Sequence, residues 1–424
     1  MTIVIVVVLM LFLASLGIWT GVALAIAGVV GLFLSFGEQA LLRIGAEAWN
    51  LANSDTLVAI PLFILMGELL GDSRGARDLF NFISRFDNVI PSSRGIATVA
   101  FGGMLSSVAG SLAAVTAITT KTSYHHLREA GLPTRQSLGL VTSVGALGIM
   151  LPPSLTLIIF GSLTQNAIAS LFRAAIVPGI LQMLLFMLVI GWLWNRQLKS
   201  SPKGIEKEFK KKSSTFGAAW QLPTAILLVL GGFLSGKLTP IEAAASGVVA
   251  AVGMNFLNGE IIWSRLRSAT RNTILSTSMI LLIVLGAQMI SSVLAYEGFA
   301  RSVSLFVKNL AVPDLVILFA IVVLYLLLGT VFDGLSMMVL TLPFIYPIVL
   351  AMGRDPIWFG VVMVACVQIA ELSPPVGVNL FVAQYLTGEA IEEVWLGIWP
   401  YAAAIGLVLT ALVLFPRFGL LLAP

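Results

Sequence analysis

Two adjacent prolines, Pro152 and Pro153, interrupt the apolar run from Leu140 to Phe160. They constrain this chain more than any other feature. A helix cannot continue through them, because each removes a backbone donor and its ring clashes with the preceding turn. A new helix can begin on them, since its first N–H groups have no intrahelical partner in any case. The spacing predicts a helix that stops near Met150 and another that restarts near Pro153. Nothing in Gly148-Ile-Met-Leu-Pro-Pro-Ser154 is polar enough to mark an exit from a membrane. Freed backbone groups are costly in hydrocarbon, so such a break persists only where it lines a cavity or is buried in protein. An isolated break of this kind would suit an ordinary proline kink. Here Glu371-Leu-Ser-Pro-Pro-Val-Gly377 repeats it, with Pro374 lying 222 residues after Pro152.

A membrane setting follows from composition. Of 424 residues, 58% are hydrophobic and only 10% charged, against about a quarter charged in soluble domains. The chain reads as an all-α polytopic membrane protein. The single cysteine, Cys366, sits in an apolar run, which excludes a disulfide framework or a cysteine metal cluster. Thr2–Leu16 has the length of a signal peptide but lacks a basic start, and a second apolar run follows at once, so it reads as a retained span. The net charge of +4 collects in loops and is no nucleic-acid footprint.

In order, spans are expected at Thr2–Leu16, Thr20–Phe36, Asp55–Leu70, Ser170–Asn195, Trp220–Ser235, Thr239–Phe256, Thr273–Leu294 and Val394–Phe415. Interfacial or amphipathic segments are expected at 38–54, 71–91, 258–272 and 296–312. Residues 95–124 are rich in Gly, Ala, Ser and Thr, with Arg94 before them and Lys121 and Arg128 after. Small residues suit a tightly packed single span, but basic flanks at both ends favour a re-entrant hairpin with its tip at Gly110. Residues 314–350 look like a second hairpin around Gly329-Thr-Val-Phe-Asp-Gly334. Interrupted helices fill 135–166 and 356–386.

These pieces form a repeat. Ala27-Gly-Val-Val-Gly31 matches Ser246-Gly-Val-Val-Ala250 at an offset of 219, and Leu65-Met-Gly67 matches Val284-Leu-Gly286 at the same offset. The proline pairs match at 222, as do Pro178 and Pro400. One match is chance, whereas an ordered series implies duplication. The expected division is 1–196 as the first repeat, 197–215 as a basic cytoplasmic loop, and 216–424 as the second repeat. Placing Arg196–Lys212, Gly71–Arg94, Lys121–Arg135 and Asn258–Asn272 inside the cell accounts for 17 of the 24 Lys and Arg. That placement makes the first repeat begin outside and the second inside. Inverted repeats with paired hairpins and broken helices imply a secondary transporter with its site at the midplane.

Hard cations such as Na⁺ take oxygen ligands. The first tip offers Ser106, Gly110 and the first break the Gly145–Leu151 carbonyls. The second tip offers Thr330, Asp333 and Gly334, and the second break Glu371 and Ser373. Ser107 and Ser111 at the first tip, and Ser154 and Asn379 just after the breaks, are candidates to face an anionic substrate, although either of the last two could simply cap a helix. Asp333 and Glu371 are the acids at depth, where an ionisable residue is a functional hypothesis by default. His125 and His126, beside Arg128, read as surface residues. No nucleotide-binding loop and no catalytic triad can be found, so enzyme chemistry and ATP drive have no support.

Leu105-Ser-Ser-Val-Ala-Gly-Ser-Leu-Ala-Ala114, Gly148–Ser154 with Ala175-Ile-Val-Pro-Gly179, and Glu371-Leu-Ser-Pro-Pro-Val-Gly-Val-Asn379 together resemble the large membrane subunit of the tripartite ATP-independent periplasmic (TRAP) transporters, essentially end to end. The resemblance implies a Na⁺-driven importer of organic acids in the bacterial inner membrane, working by an elevator motion among membrane lipids. It implies two partners, a small four-helix membrane subunit and a periplasmic substrate-binding protein, the former not fused because the chain opens on the first span. By position it places two cation sites, each at one tip and its neighbouring break. The alternative is a stand-alone Na⁺/dicarboxylate carrier of the related hairpin superfamily. Such carriers usually show Ser-Asn-Thr at both tips, where this chain has Ala-Gly-Ser and Phe-Asp-Gly.

Overall fold

Helix is the only regular structure among the described residues of this computed structural model, as an apolar chain without water to satisfy open strands requires. The structure describes residues 1–71, 73–84, 92–109, 111–200, 217–260, 263–309, 312–329, 332–373 and 377–422. Gly110, Thr330, the Pro374-Pro375 pair and most of the basic loop lie outside them. The first half carries α1 (Thr2–Ser15), α2 (Thr20–Phe36), α3 (Ala40–Ala52), α4 (Asp55–Gly71), α5 (Arg74–Ile83), α6 (Ser93–Val108), α7 (Leu112–Thr119), α8 (His125–Glu129), α9 (Thr134–Met150), α10 (Leu155–Thr164) and α11 (Ile168–Ser200). The second carries α12 (Gln221–Leu234), α13 (Pro240–Leu257), α14 (Trp263–Tyr296), α15 (Phe299–Asn309), α16 (Asp314–Leu328), α17 (Gly334–Ala351), α18 (Pro356–Leu372), α19 (Val378–Thr387) and α20 (Ile391–Leu414). Seven helical stretches among the described residues are long and apolar enough to cross a membrane. Outward-facing side chains such as Leu188, Val249 and Phe319 are exposed and apolar.

Lipid tails are as apolar as leucine, so helices here must associate by close packing. Glycines provide it. A Cβ on Gly28 of α2 would lie 2.7 Å from Met289 Cβ of α14, and one on Gly397 of α20 would lie 2.8 Å from Gly139 N of α9. α13 packs on α4 in the same way, Gly247 meeting Met66.

α9 and α18 pack against each other, and Gln368 Nε2 donates to Ala146 O at 2.7 Å across that contact. These residues are 222 apart, the same interval as the proline pairs. Gln368 is fully buried. Gln368→Leu should therefore lower stability by about 1 kcal/mol, the usual net value of one hydrogen bond. A fall in the thermal midpoint of the detergent-solubilised protein would register it, and an unchanged midpoint would count against the bond.

Two helix pairs fold back on themselves. α7 returns beside α6, such that a Cβ on Gly102 would come within 3.3 Å of Thr119 Cγ2. α17 returns beside α16, with Tyr325 Oη and Thr341 Oγ1 2.5 Å apart. The outer end of each pair is tied to the opposite half. Tyr124 Oη donates to Glu389 Oε1 at 2.8 Å, and Asn166 Nδ2 donates to Tyr346 Oη at 3.0 Å. Arg135 adds a two-pronged bond to Glu393, both contacts at 3.1 Å.

Two expectations are corrected. The segment 258–272 is not separate from the span after it: α14 runs unbroken from Trp263 to Tyr296. No glycine or proline occurs between Trp263 and Leu285 to stop it. Polar contacts hold its charged end, Arg265 to Glu260 at 3.4 Å and Asn272 Nδ2 to Glu68 Oε2 at 2.9 Å. The first interrupted helix restarts at Leu155, two residues beyond Pro153, because Ser154 takes the N-cap.

Candidate functional site

Four interruptions meet at one place. α6 ends at Val108 and passes through an extended Ala109 (φ −80°, ψ 134°). Ser111 then caps α7, its Oγ accepting from Ala114 N at 3.3 Å. α9 ends at Met150, and Ser154 caps α10 while its hydroxyl donates to Ile149 O at 2.6 Å. Asp333 caps α17, with Oδ1 accepting from Ser336 N at 3.1 Å. α18 ends at Leu372, and α19 opens after Gly377.

These ends are brought together by close crossings. A Cβ on Gly148 would fall on the backbone carbonyl of Ser106, and one on Gly329 would overlap Ala370. Glu371 Oε1 lies against Gly334, in the space a Cβ there would need. Its other oxygen, Oε2, is shielded from solvent and has no hydrogen-bond partner among the described residues.

A cavity of about 310 Å³ lies between them. Ser106, Ala109 and Ser111 line it from the first fold-back, and Gly148, Ile149, Ser154 and Thr156 from the first interrupted helix. Gly329, Phe332 and Asp333 line it from the second fold-back, and Glu371, Gly377 and Asn379 from the second interrupted helix. Helices α7, α10, α17 and α19 all begin at this cavity, so several positive dipole ends converge there. The C-terminal ends of α9 and α18 lie beside them, where Ser154 and Ser373 hydroxyls already take Ile149 O and Ile369 O.

Thus Ser106, Ser111, Ser154, Asp333, Glu371 and Asn379 are brought to one cavity. Others stand behind it. Ser107 is buried and donates to Met104 O at 2.8 Å, and Ser373 donates to Ile369 O at 2.8 Å. Gly145 backs onto Thr116, and Leu151 packs its side chain on Gly179. Gly334 lies beneath Glu371. Gly110 and Thr330 lie outside the described residues.

One wall was not anticipated. Ser276, Met279, Ile280 and Ile283 of α14 close the cavity from the side. Their i, i+3, i+4, i+7 spacing is one helix face. An apolar helix gives no contrast to pick out that face, and Ser276 is its one polar member.

Comparison with known proteins fits this arrangement. The model of the tripartite ATP-independent periplasmic transporter, DctM component, matches residues 5–418. The C4-dicarboxylate TRAP transporter large permease protein DctM of Pseudomonas aeruginosa is 28% identical over 368 residues, covering 86% of this chain and 85% of that protein. The sialic acid TRAP transporter large permease protein SiaM of Vibrio cholerae is 29% identical over 381 residues, covering 87% and 86%. Among solved structures, the Alcanivorax borkumensis YdaH transporter superposes with a TM-score of 0.69 over 92% of this chain and 90% of that one; at 15% identity this bears on the fold alone. A match over nearly the whole length, joined to this many-helix architecture, makes the chain a member of the tripartite ATP-independent periplasmic transporter family, a DctM-type large permease, and so a multi-pass inner-membrane transport subunit rather than an enzyme.

Proposed function

We propose that this chain imports an organic acid across the inner membrane, driven by Na⁺, as the transport subunit of a binding-protein-dependent system. Its partners are a small four-helix membrane subunit and a periplasmic substrate-binding protein. The observation that carries this reading is the shared cavity, to which both fold-backs and both interrupted helices contribute. The names of the relatives, one for a C4-dicarboxylate and one for sialic acid, agree on an organic acid.

In this reading the two fold-backs are re-entrant hairpins belonging to two inverted repeats. Residues 1–196 and 216–424 are those repeats, joined by the basic loop on the cytoplasmic side. The oxygen inventory fits Na⁺. Asp333 and Glu371 supply charge, and carbonyls at the ends of α9 and α18 would supply neutral ligands. Ser106 and Gly145–Leu151 would serve one ion, with Thr330, Asp333, Gly334, Glu371 and Ser373 serving the other. Ser111, Ser154 and Asn379 would meet the substrate carboxylate at helix N-termini, where anions are favoured.

The tyrosine ties at Tyr124 and Tyr346 and the Arg135–Glu393 pair stitch hairpins and interrupted helices into one body. That body would slide as an elevator along the frame of α2, α4, α13 and α14. Proteoliposomes holding the two membrane subunits, supplied with a loaded binding protein, should accumulate acid only with an inward Na⁺ gradient. Accumulation without Na⁺ would refute the coupling. Undiminished uptake without any binding protein would favour a stand-alone Na⁺/dicarboxylate carrier.

A further inference from the structure

Among the described residues, the cavity proposed to take an anion has no cationic side chain. Asp333 and Glu371 are the only ionisable residues lining it among the described residues, and both are acids. The neighbouring positions not described, Gly110, Thr330, Val331, Pro374, Pro375 and Val376, include no Lys, Arg or His in the sequence. Positive potential must therefore come from helix ends and from bound cations.

The helix ends are few. Each N-terminus is worth about half an elementary charge. That of α17 is already engaged by Asp333 Oδ1 on Ser336 N at 3.1 Å. Those of α7 and α10 are capped by neutral hydroxyls, Ser111 and Ser154, and α19 begins without a side-chain cap. These three ends, at about half a charge each, can together offset little more than one carboxylate, provided that cations balance the two acids. A second carboxylate on the substrate would be desolvated with no counter-charge, and Glu371 Oε2 already sits in the wall without a partner among the described residues.

From this we infer that the transported acid carries a single carboxylate, its remainder neutral, and that Glu371 is the residue that discriminates against a second. The inference rests on the transport reading above. It goes beyond family membership, because the names of the relatives print both a C4-dicarboxylate and sialic acid as substrates. The apolar part of the lining, Ile149, Leu155, Phe332 and the α14 face, suits an uncharged body.

The test uses the complex of large and small membrane subunits in nanodiscs, with saturating NaCl, and reads ligand-induced thermal stabilisation. Acids are offered as matched pairs that differ only in the second charge: succinamate and succinate, glutaramate and glutarate, gluconate and glucarate, and an aromatic acid with its diacid. The single-charge member of a responding pair should half-saturate at about 100-fold lower concentration, the factor that about 3 kcal/mol carries. Glu371→Gln should shrink that ratio about tenfold, by admitting the diacid. Equal or tighter binding of the diacids by the unaltered complex overturns the inference and leaves the transport reading standing. An unchanged ratio in Glu371→Gln removes Glu371 from it. No Na⁺-dependent response to either member of any pair would overturn both. The matched pairs on the unaltered complex decide the matter even if the variant fails to assemble.

Discussion

Asp333→Ala should abolish Na⁺-dependent uptake, lowering it about 100-fold or more, while the two membrane subunits still assemble. Asp333 has two jobs to separate. It caps α17 through Ser336 N, and loss of a cap costs about 1 kcal/mol of stability. It also brings a carboxylate to the cavity wall beside Glu371. Asn is as good a cap as Asp but carries no charge. Asp333→Asn should therefore keep the thermal midpoint of the native protein and still lose Na⁺ dependence, since it removes the charge and keeps the cap. Measured as initial uptake against Na⁺ concentration in proteoliposomes, a normal response in Asp333→Asn would show that the residue is only a cap.

The second large effect is steric. Gly148→Val should eliminate transport and reduce the yield of folded protein. The atoms that a side chain would strike there are the backbone carbon and oxygen of Ser106, which cannot rotate away as a flexible side chain could. Overpacking costs about 1–3 kcal/mol when side chains can adjust and more when they cannot. The ends of α6 and α9 would be forced apart, carrying Ser106 and Ser154 with them. Gly406 in α20 has nothing within 4 Å of an added Cβ, so Gly406→Val is the matched control and should be near neutral. Equal behaviour of the two variants in size-exclusion profiles and uptake would show that the crossing does not matter.

Much of this arrangement is legible in the amino-acid sequence. The proline pairs mark the interruptions because proline acts locally, whatever surrounds it. Asp333 and Glu371 stand out because charge is rare in such a chain. Orientation is harder to read. Ser106 and Ser107 are indistinguishable in sequence and each hydroxyl bonds back three residues, yet successive helical residues point about 100° apart, and of the two only Ser106 lines the cavity. The restart at Leu155 depends on a local competition between proline and the capping hydroxyl of Ser154. The α14 wall is hard to find in sequence because its function is a matter of what lies opposite, and the residues of that face carry no mark of their neighbours.

α14 is a single rod of 34 residues, and that continuity has a mechanical consequence. Its charged end is clamped through Arg265 to Glu260 and through Asn272 to Glu68. The residues that wall the cavity begin at Ser276, eleven positions beyond Arg265 and so about 16 Å along the axis. With no flexible joint between them, the clamped end and the cavity wall share one ruler. A reporter fixed at the clamped end therefore keeps a set distance from the residues that wall the cavity.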